Sequence, residues 1–186
     1  MTLKEMKEKV LRLIEEINPD SEVLTDDPDI EAKINDVINQ VMFEVARMKK
    51  LPDFVEFAVL KDEVVRFADI TEVTGNEVYQ LDVVRGVPYE LKANGTIIKA
   101  LESGIAEIDY FKYPVRITKE TEDAYEFELP ADALEIMPYG IAGDLLKSDV
   151  SAEYGQIYSN RYESMLQRLD PRYSMGMFTI EGGVNI

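Results

Sequence analysis

The chain has 186 residues with no cysteine, no histidine and no tryptophan, and carries 20 basic against 37 acidic groups, a formal net charge of −17. Without these residues it has no disulfide, thiol nucleophile, zinc–thiolate site, imidazole base or His-ligated metal. The negative charge is spread along the chain, net −6 over residues 1–58, −7 over 59–130 and −4 over 131–186, so it disfavours binding to bare nucleic acid and is no acidic tail.

At 46% hydrophobic and 31% charged residues the composition is that of a globular domain. No apolar run reaches the roughly 18 residues of a membrane helix, and MTLKEMKEKV does not read as a signal peptide. The first helix is predicted from Thr2 to about Ile17. Leu3, Met6, Val10, Leu13, Ile14 and Ile17 recur at helical spacing, Thr2 and Glu5 fit a capping box, and Asn18-Pro19 ends it. In the second helix Asp27 is the cap and Pro28 the first residue. Ile30, Ile34, Val37, Ile38, Val41, Met42, Val45 and Met48 form one stripe, acids lie at the start, bases at the end, and Pro52 closes it.

From Phe54 to Leu129 the pattern is that of strands. Phe54–Leu60 is β-prone, Val78–Leu91 alternates, and Asn94-Gly95 signals a type I′ hairpin between Tyr89–Lys92 and Thr96–Leu101. Ser103-Gly104 turns the chain again. Ala106, Ile108 and Tyr110 then alternate with Glu107 and Asp109. Arg116–Asp123 reads as a charged loop, and Tyr125, Phe127 and Leu129 as a last strand. Turn signals at about ten-residue intervals predict an antiparallel sandwich or small barrel.

Ala131–Lys147 is predicted helical, interrupted or restarted near Pro138. A final helix, capped by Ser148-Asp149 or Ser151, carries Val150, Tyr154, Ile157, Tyr158, Arg161, Tyr162, Met165, Leu166 and Leu169 on one stripe and ends at Asp170-Pro171. The fold class read from this order is α+β. N- and C-terminal helices form a bundle around an inserted antiparallel β module, and an extended C-terminal tail follows. The corresponding units are 1–52, 53–130, 131–170 and 171–186.

No catalytic, cofactor or metal site emerges. Asp26, Asp27, Asp29 and Glu31 are dense enough for Mg²⁺ or Ca²⁺, but no EF-hand spacing is present, and a dipole-matched helix start accounts for them. Among 37 acids a glycosidase-like pair arises by chance. The glycines at 75, 86, 95 and 104 lie in strand turns and form neither GxGxxG nor a P-loop, and there is no G-x-S-x-G elbow. The tyrosines at 139, 154, 158 and 162 read either as a core stripe or as a subunit interface, where the ring gives rigid area and a polar tip.

Three stretches together resemble the head–tail connector, or adaptor, proteins of tailed bacteriophages. They are DDPDI followed by INDVINQVMFEVAR, YFKYP followed by FELPADALEIMPYGIAGDLL, and SAEYGQIYSNRYESMLQRLDPR, covering about residues 5–170. Pro138-Tyr139-Gly140-Ile141-Ala142 and Arg161-Tyr162-Glu163 with Leu166 stand where the family shows its Pro-Tyr-x-x-Ala helix and its Arg-Tyr-Glu-x-x-Leu helix.

The resemblance implies a non-enzymatic virion protein of the neck, made in the bacterial host cytoplasm, without cofactor or membrane. Copies would form a homo-oligomeric ring beneath the portal protein, extend the DNA channel without specific DNA binding, and dock a downstream neck or tail protein. It implies subunit or portal contacts through Tyr154, Tyr158 and Tyr162. The tail would be a candidate arm, with Arg172, Tyr173, Met177, Phe178 and Ile180 as its contact residues. The alternatives are another neck or tail-completion protein, a soluble acidic module mimicking nucleic acid, or a hydrolase using metal ions held by Asp and Glu.

Overall fold

A computed structural model of the chain describes residues 1–17, 24–148 and 152–169. These residues form a mixed α+β structure of five α-helices and two small antiparallel sheets of three strands each. The helices are α1 (Leu3–Leu13), α2 (Pro28–Lys49), α3 (Phe67–Thr74), α4 (Ala131–Leu145) and α5 (Ala152–Leu166). The strands are β1 (Pro52–Val59), β2 (Val64–Arg66), β3 (Val78–Arg85), β4 (Tyr89–Lys92), β5 (Ile97–Ala100) and β6 (Gly104–Lys112).

The capping box of α1 forms as its residues predict. Thr2 Oγ1 accepts from the Glu5 N–H at 3.2 Å, and Glu5 returns a carboxylate to the Thr2 N–H at 2.9 Å. The helix stops at Leu13, short of Asn18-Pro19. Glu15 takes a left-handed φ of 61°, and the Glu16 N–H reaches back to the Leu11 carbonyl at 2.9 Å, the six-to-one closure of a Schellman end. In α2, Asp27 Oδ1 accepts from the N–H groups of Asp29 and Ile30, and Pro28 occupies the first turn, where its missing donor costs nothing. Lys50, at φ 52°, terminates α2, and Pro52 already belongs to β1.

One core joins α1, α2, α4 and α5. Leu3, Met6 and Val10 meet Ile38, Met42 and Val45 of α2 and Met137 and Ile141 of α4 there, and α4 packs on α1, α2 and α5. Helix α4 runs unbroken through Pro138. Proline there removes a donor and crowds the preceding turn, but Met137 and Ile141 on either side are fully buried, and that packing holds the helix together. The α4–α5 crossing is close. A Cβ on Gly143 would stand 2.5 Å from Ser159 Oγ, and one on Gly155 would stand 3.0 Å from Leu146 Cβ.

A second core lies between the two sheets and α3, built from residues such as Val55, Val65, Ile70, Val84, Ile98, Ile108 and Tyr110. The sheet orders are β1-β6-β3 and β2-β5-β4, and the sheets do not close into a barrel. Alternation on β6 is as predicted, with Ala106, Ile108 and Tyr110 buried and Glu107 exposed. Val78–Leu91 is not one strand. It breaks at Gly86, whose φ is 86° and where any Cβ would meet the Ile105 carbonyl oxygen at 2.2 Å.

The β4–β5 hairpin exists, but its turn is not type I′. Ala93, Asn94 and Gly95 all take positive φ, so the loop has four residues, and Thr96 Oγ1 returns to the Ala93 carbonyl at 2.8 Å. Ser103-Gly104 leads not into a hairpin but across to the other sheet. Gly75 closes helix α3, at φ 74°, and lies in no strand turn. The expected last strand is absent. Tyr125, Phe127 and Leu129 alternate, yet Glu126 makes only a single bridge to Thr2, and Phe127 and Leu129 bury into the helical core. The short alternating pattern could not distinguish an extended segment packed on helices from a sheet strand.

An aromatic cluster ties the second core to α2. The Tyr113 ring lies 4.8 Å from both Phe43 and Tyr79, and Arg47 stacks over it while donating to its Oη at 2.5 Å. The Tyr79 hydroxyl reaches the Ala46 carbonyl at 3.3 Å. At the same junction the Lys112 N–H bonds the Leu51 carbonyl at 3.0 Å, so the chain enters and leaves the sheet β1-β6-β3 side by side.

Candidate interaction surface

The tyrosine stripe of α5 divides between two jobs. Tyr162 is 7% exposed, and its hydroxyl donates to Glu44 Oε2 at 2.8 Å. Burial first, and that carboxylate second, push its phenol far above the ordinary range, so it stays protonated. The Gly140 backbone lies flat against its ring, where a Cβ would stand 3.0 Å away. Tyr158 is half-buried, and its hydroxyl donates to the Leu13 carbonyl at 2.6 Å, satisfying an orphan acceptor at the end of α1. Tyr154 is 64% exposed and Ile157 60% exposed, three residues apart on one helical face. Arg161 lies over the Tyr139 ring at 4.1 Å, which stiffens the surface beside them. Thus Tyr158 and Tyr162 fasten α5 to α1 and α2, and Tyr154 with Ile157 is left to the outside.

Arg172, Tyr173, Met177, Phe178 and Ile180 lie outside the described residues, as do Val150 and the expected cap at Asp149 or Ser151. Helix α5 itself ends at Leu166, before Asp170-Pro171.

Two buried polar constellations escaped sequence reasoning. Asn39, 4% exposed on α2, donates through Nδ2 to the Ile117 carbonyl at 2.7 Å and accepts the Ile117 N–H at 2.8 Å, pinning the 116–123 loop. Lys49, 4% exposed, donates to Asp132 Oδ2 at 2.5 Å. Burial alone would raise the Asp132 carboxyl, but the Lys49 hydrogen bond and charge, with the Ala133 N–H, outweigh it and hold it below the ordinary value. The available signal was a polar residue standing inside an apolar helical stripe: Asn39 falls between Ile38 and Val41, and Lys49 four after Val45.

The acids at the start of α2 act locally. Asp27 caps the helix, and among the described residues no group of three or more Asp or Glu side chains is placed to hold a metal ion. A groove of about 530 Å³ between α1, the start of α2 and the 119–123 loop brings Lys7 and Lys119 near Glu31 and Asp123. No helix among the described residues is long and apolar enough to cross a membrane. No known family model matches the chain, and no curated protein matches it.

Proposed function

We propose that this chain is a structural protein of a tailed-bacteriophage virion, a head–tail connector whose copies form a ring beneath the portal protein. In this reading α1, α2, α4 and α5 are the ring scaffold, a bundle completed from both ends of the sequence. The two sheets are a module inserted into it, and residues 171–186 are an arm. The observation that carries the reading is the exposed Tyr154–Ile157 pair on α5. It lies on the same helix as Arg161-Tyr162-Glu163, on which the adaptor resemblance rests, and an apolar pair held out by a rigid helix suits a neighbouring subunit. The protein performs no chemistry. Its net charge of −17 repels phosphate and keeps passing DNA from adhering. Its partners are further copies of itself, the portal protein and a downstream neck or tail protein, at the neck of the particle.

Sequencing the DNA on both sides of the gene tests this directly. Portal, capsid and large-terminase genes upstream with tail genes downstream are expected. Metabolic or regulatory genes on both sides would overturn it and leave the acidic binding module as the better reading. A second test co-expresses the full chain with the portal protein of the same genome. Tyr154→Asp with Ile157→Asp should abolish co-purification while leaving the circular dichroism spectrum unchanged.

A further inference from the structure

The outer face of the sheet β1-β6-β3 combines features that cost the isolated chain stability. Strand pairing sets Glu56 directly opposite Glu107, with Arg85 next across the sheet, and sets Phe54 opposite Asp109. Paired residues share a face, and like charges directly opposite each other destabilise. Arg85 offsets part of this, reaching Asp109 at 2.7 Å and Glu107 at 3.4 Å. Glu56 and Asp82 have no ion-pair partner among the described residues. Around the acids the same face exposes apolar surface: Phe54 is 66% exposed and Ile105 59% exposed. Phe54, Glu56, Arg85, Glu107 and Asp109 border a shallow groove of about 540 Å³ that also takes in Asp82, and Ile105, opposite Ala58, stands on the same face just outside it.

We infer that this sheet face is a docking site for an extended protein segment that presents Lys or Arg and apolar side chains together on one face. The charge selects the partner. Four carboxylates against one guanidinium repel phosphate, so neither nucleic acid nor an anionic lipid surface fits. The exposed Phe54 and Ile105 require an apolar counterpart, which a free cation lacks. A cation set between Glu56 and Glu107 would turn their repulsion into two attractions, and apolar side chains beside it would cover Phe54 and Ile105. This surface is far in sequence from Tyr154 and Ile157, and its use stands whether or not the virion role does.

The test titrates the full-length ¹⁵N-labelled chain with acetylated, amidated Lys-Lys-Leu-Leu-Lys, whose first, third and fifth side chains share a face when extended, at about 150 mM salt, where exposed charges act only over roughly 8 Å. Lys-Lys-Gly-Gly-Lys serves as the charge-matched control. Saturable amide shifts confined to residues 54–58, 82–85 and 105–109 are expected, with the glycine peptide binding roughly tenfold more weakly, the scale of one buried aliphatic contact. Phe54→Ser should weaken the leucine peptide by about the same factor. Glu56→Lys should also weaken it, and at the same time raise the melting temperature of the free chain, because it relieves the Glu56–Glu107 repulsion. A purely structural Glu56 would not move the two readouts in opposite senses. Shifts scattered over acids elsewhere, equal binding of both peptides, or unchanged affinity in Glu56→Lys would each overturn the inference.

Discussion

Replacing Asn39 tests the account of how the 116–123 loop is held. Its amide makes two hydrogen bonds to one residue 78 positions away, and both Asn39 and Ile117 are almost wholly buried. Asn39→Ala leaves the Ile117 N–H and carbonyl without partners. At about 1–3 kcal/mol for each of the two orphaned buried groups, the loss should be about 2–6 kcal/mol. For a chain of this size, at about 2–4 °C per kcal/mol, that lowers the melting temperature by about 4–24 °C. Urea unfolding followed by circular dichroism reads the change, and an unaltered slope would show that only the folded state was affected.

Asn39→Asp sharpens the test. Its carboxylate can accept from the Ile117 N–H but faces the Ile117 carbonyl with a second acceptor. Once protonated it can donate there and imitate the amide. The folded state therefore raises this carboxyl's pKa and binds the proton more tightly than the unfolded chain. The variant's stability is then fullest below the ordinary carboxylate range and falls as pH rises through the raised value. A loss below about 0.5 kcal/mol in Asn39→Ala, where surface substitutions fall, would refute the reasoning. So would an Asn39→Asp deficit that does not change with pH.

Other outcomes follow from single contacts. Gly143→Ala pushes a methyl onto Ser159 at the α4–α5 crossing and should cost about 1–3 kcal/mol in urea unfolding, with Gly143→Ala/Ser159→Gly recovering part of it. Gly86→Ala combines a left-handed backbone with a clash against the Ile105 carbonyl and should cost about 2–4 kcal/mol, with broadened amide signals confined to the sheet residues. Burial first, then Tyr113, pushes the Tyr79 phenol up to about 12. Its contribution to stability is full below the ordinary value of about 10 and is lost as pH rises from there through about 12. Ultraviolet titration should show a late tyrosine step near 12 that Tyr79→Phe removes, with Tyr162 ionising later still. Asp132, held low by Lys49, stabilises the fold above the ordinary carboxylate range and less as pH falls through its lowered value. Asp132→Asn should therefore flatten the acid side of the stability profile.

Where one physical signal acts locally, the residues revealed the structure. The caps at Thr2 and Asp27, the apolar stripe of α2 and the alternation on β6 each depend on neighbours a few positions apart. The errors share a different origin. Helix α1 ends on a left-handed Glu15, a conformation that nothing in an acidic, helix-favouring pair announces. Pro138 reads as a break until its surroundings are known to be fully buried. Tyr125–Leu129 alternates as a strand would, yet its partners are helices, and no pattern within five residues names a partner. Helix α3 hid inside the strand pattern because its eight residues carry several β-branched side chains. At the candidate surface, spacing put three tyrosines on one stripe. Only the packing of α1 and α2 decides that Tyr158 and Tyr162 turn inward and Tyr154 outward.

The hydrogen bond between Lys112 and Leu51 makes the sheet half of the protein a detachable cassette. Its first and last strands are each other's partners, so a short linker could bridge the stumps with little loop-closure entropy. The helical half would keep Tyr113 against Phe43 and Arg47, and would lose Tyr79 from that cluster with its hydrogen bond to Ala46, and the contacts of Phe111 with Lys50 and of Lys112 with Glu128. A foreign domain whose own ends lie close together could be seated on the same two stumps.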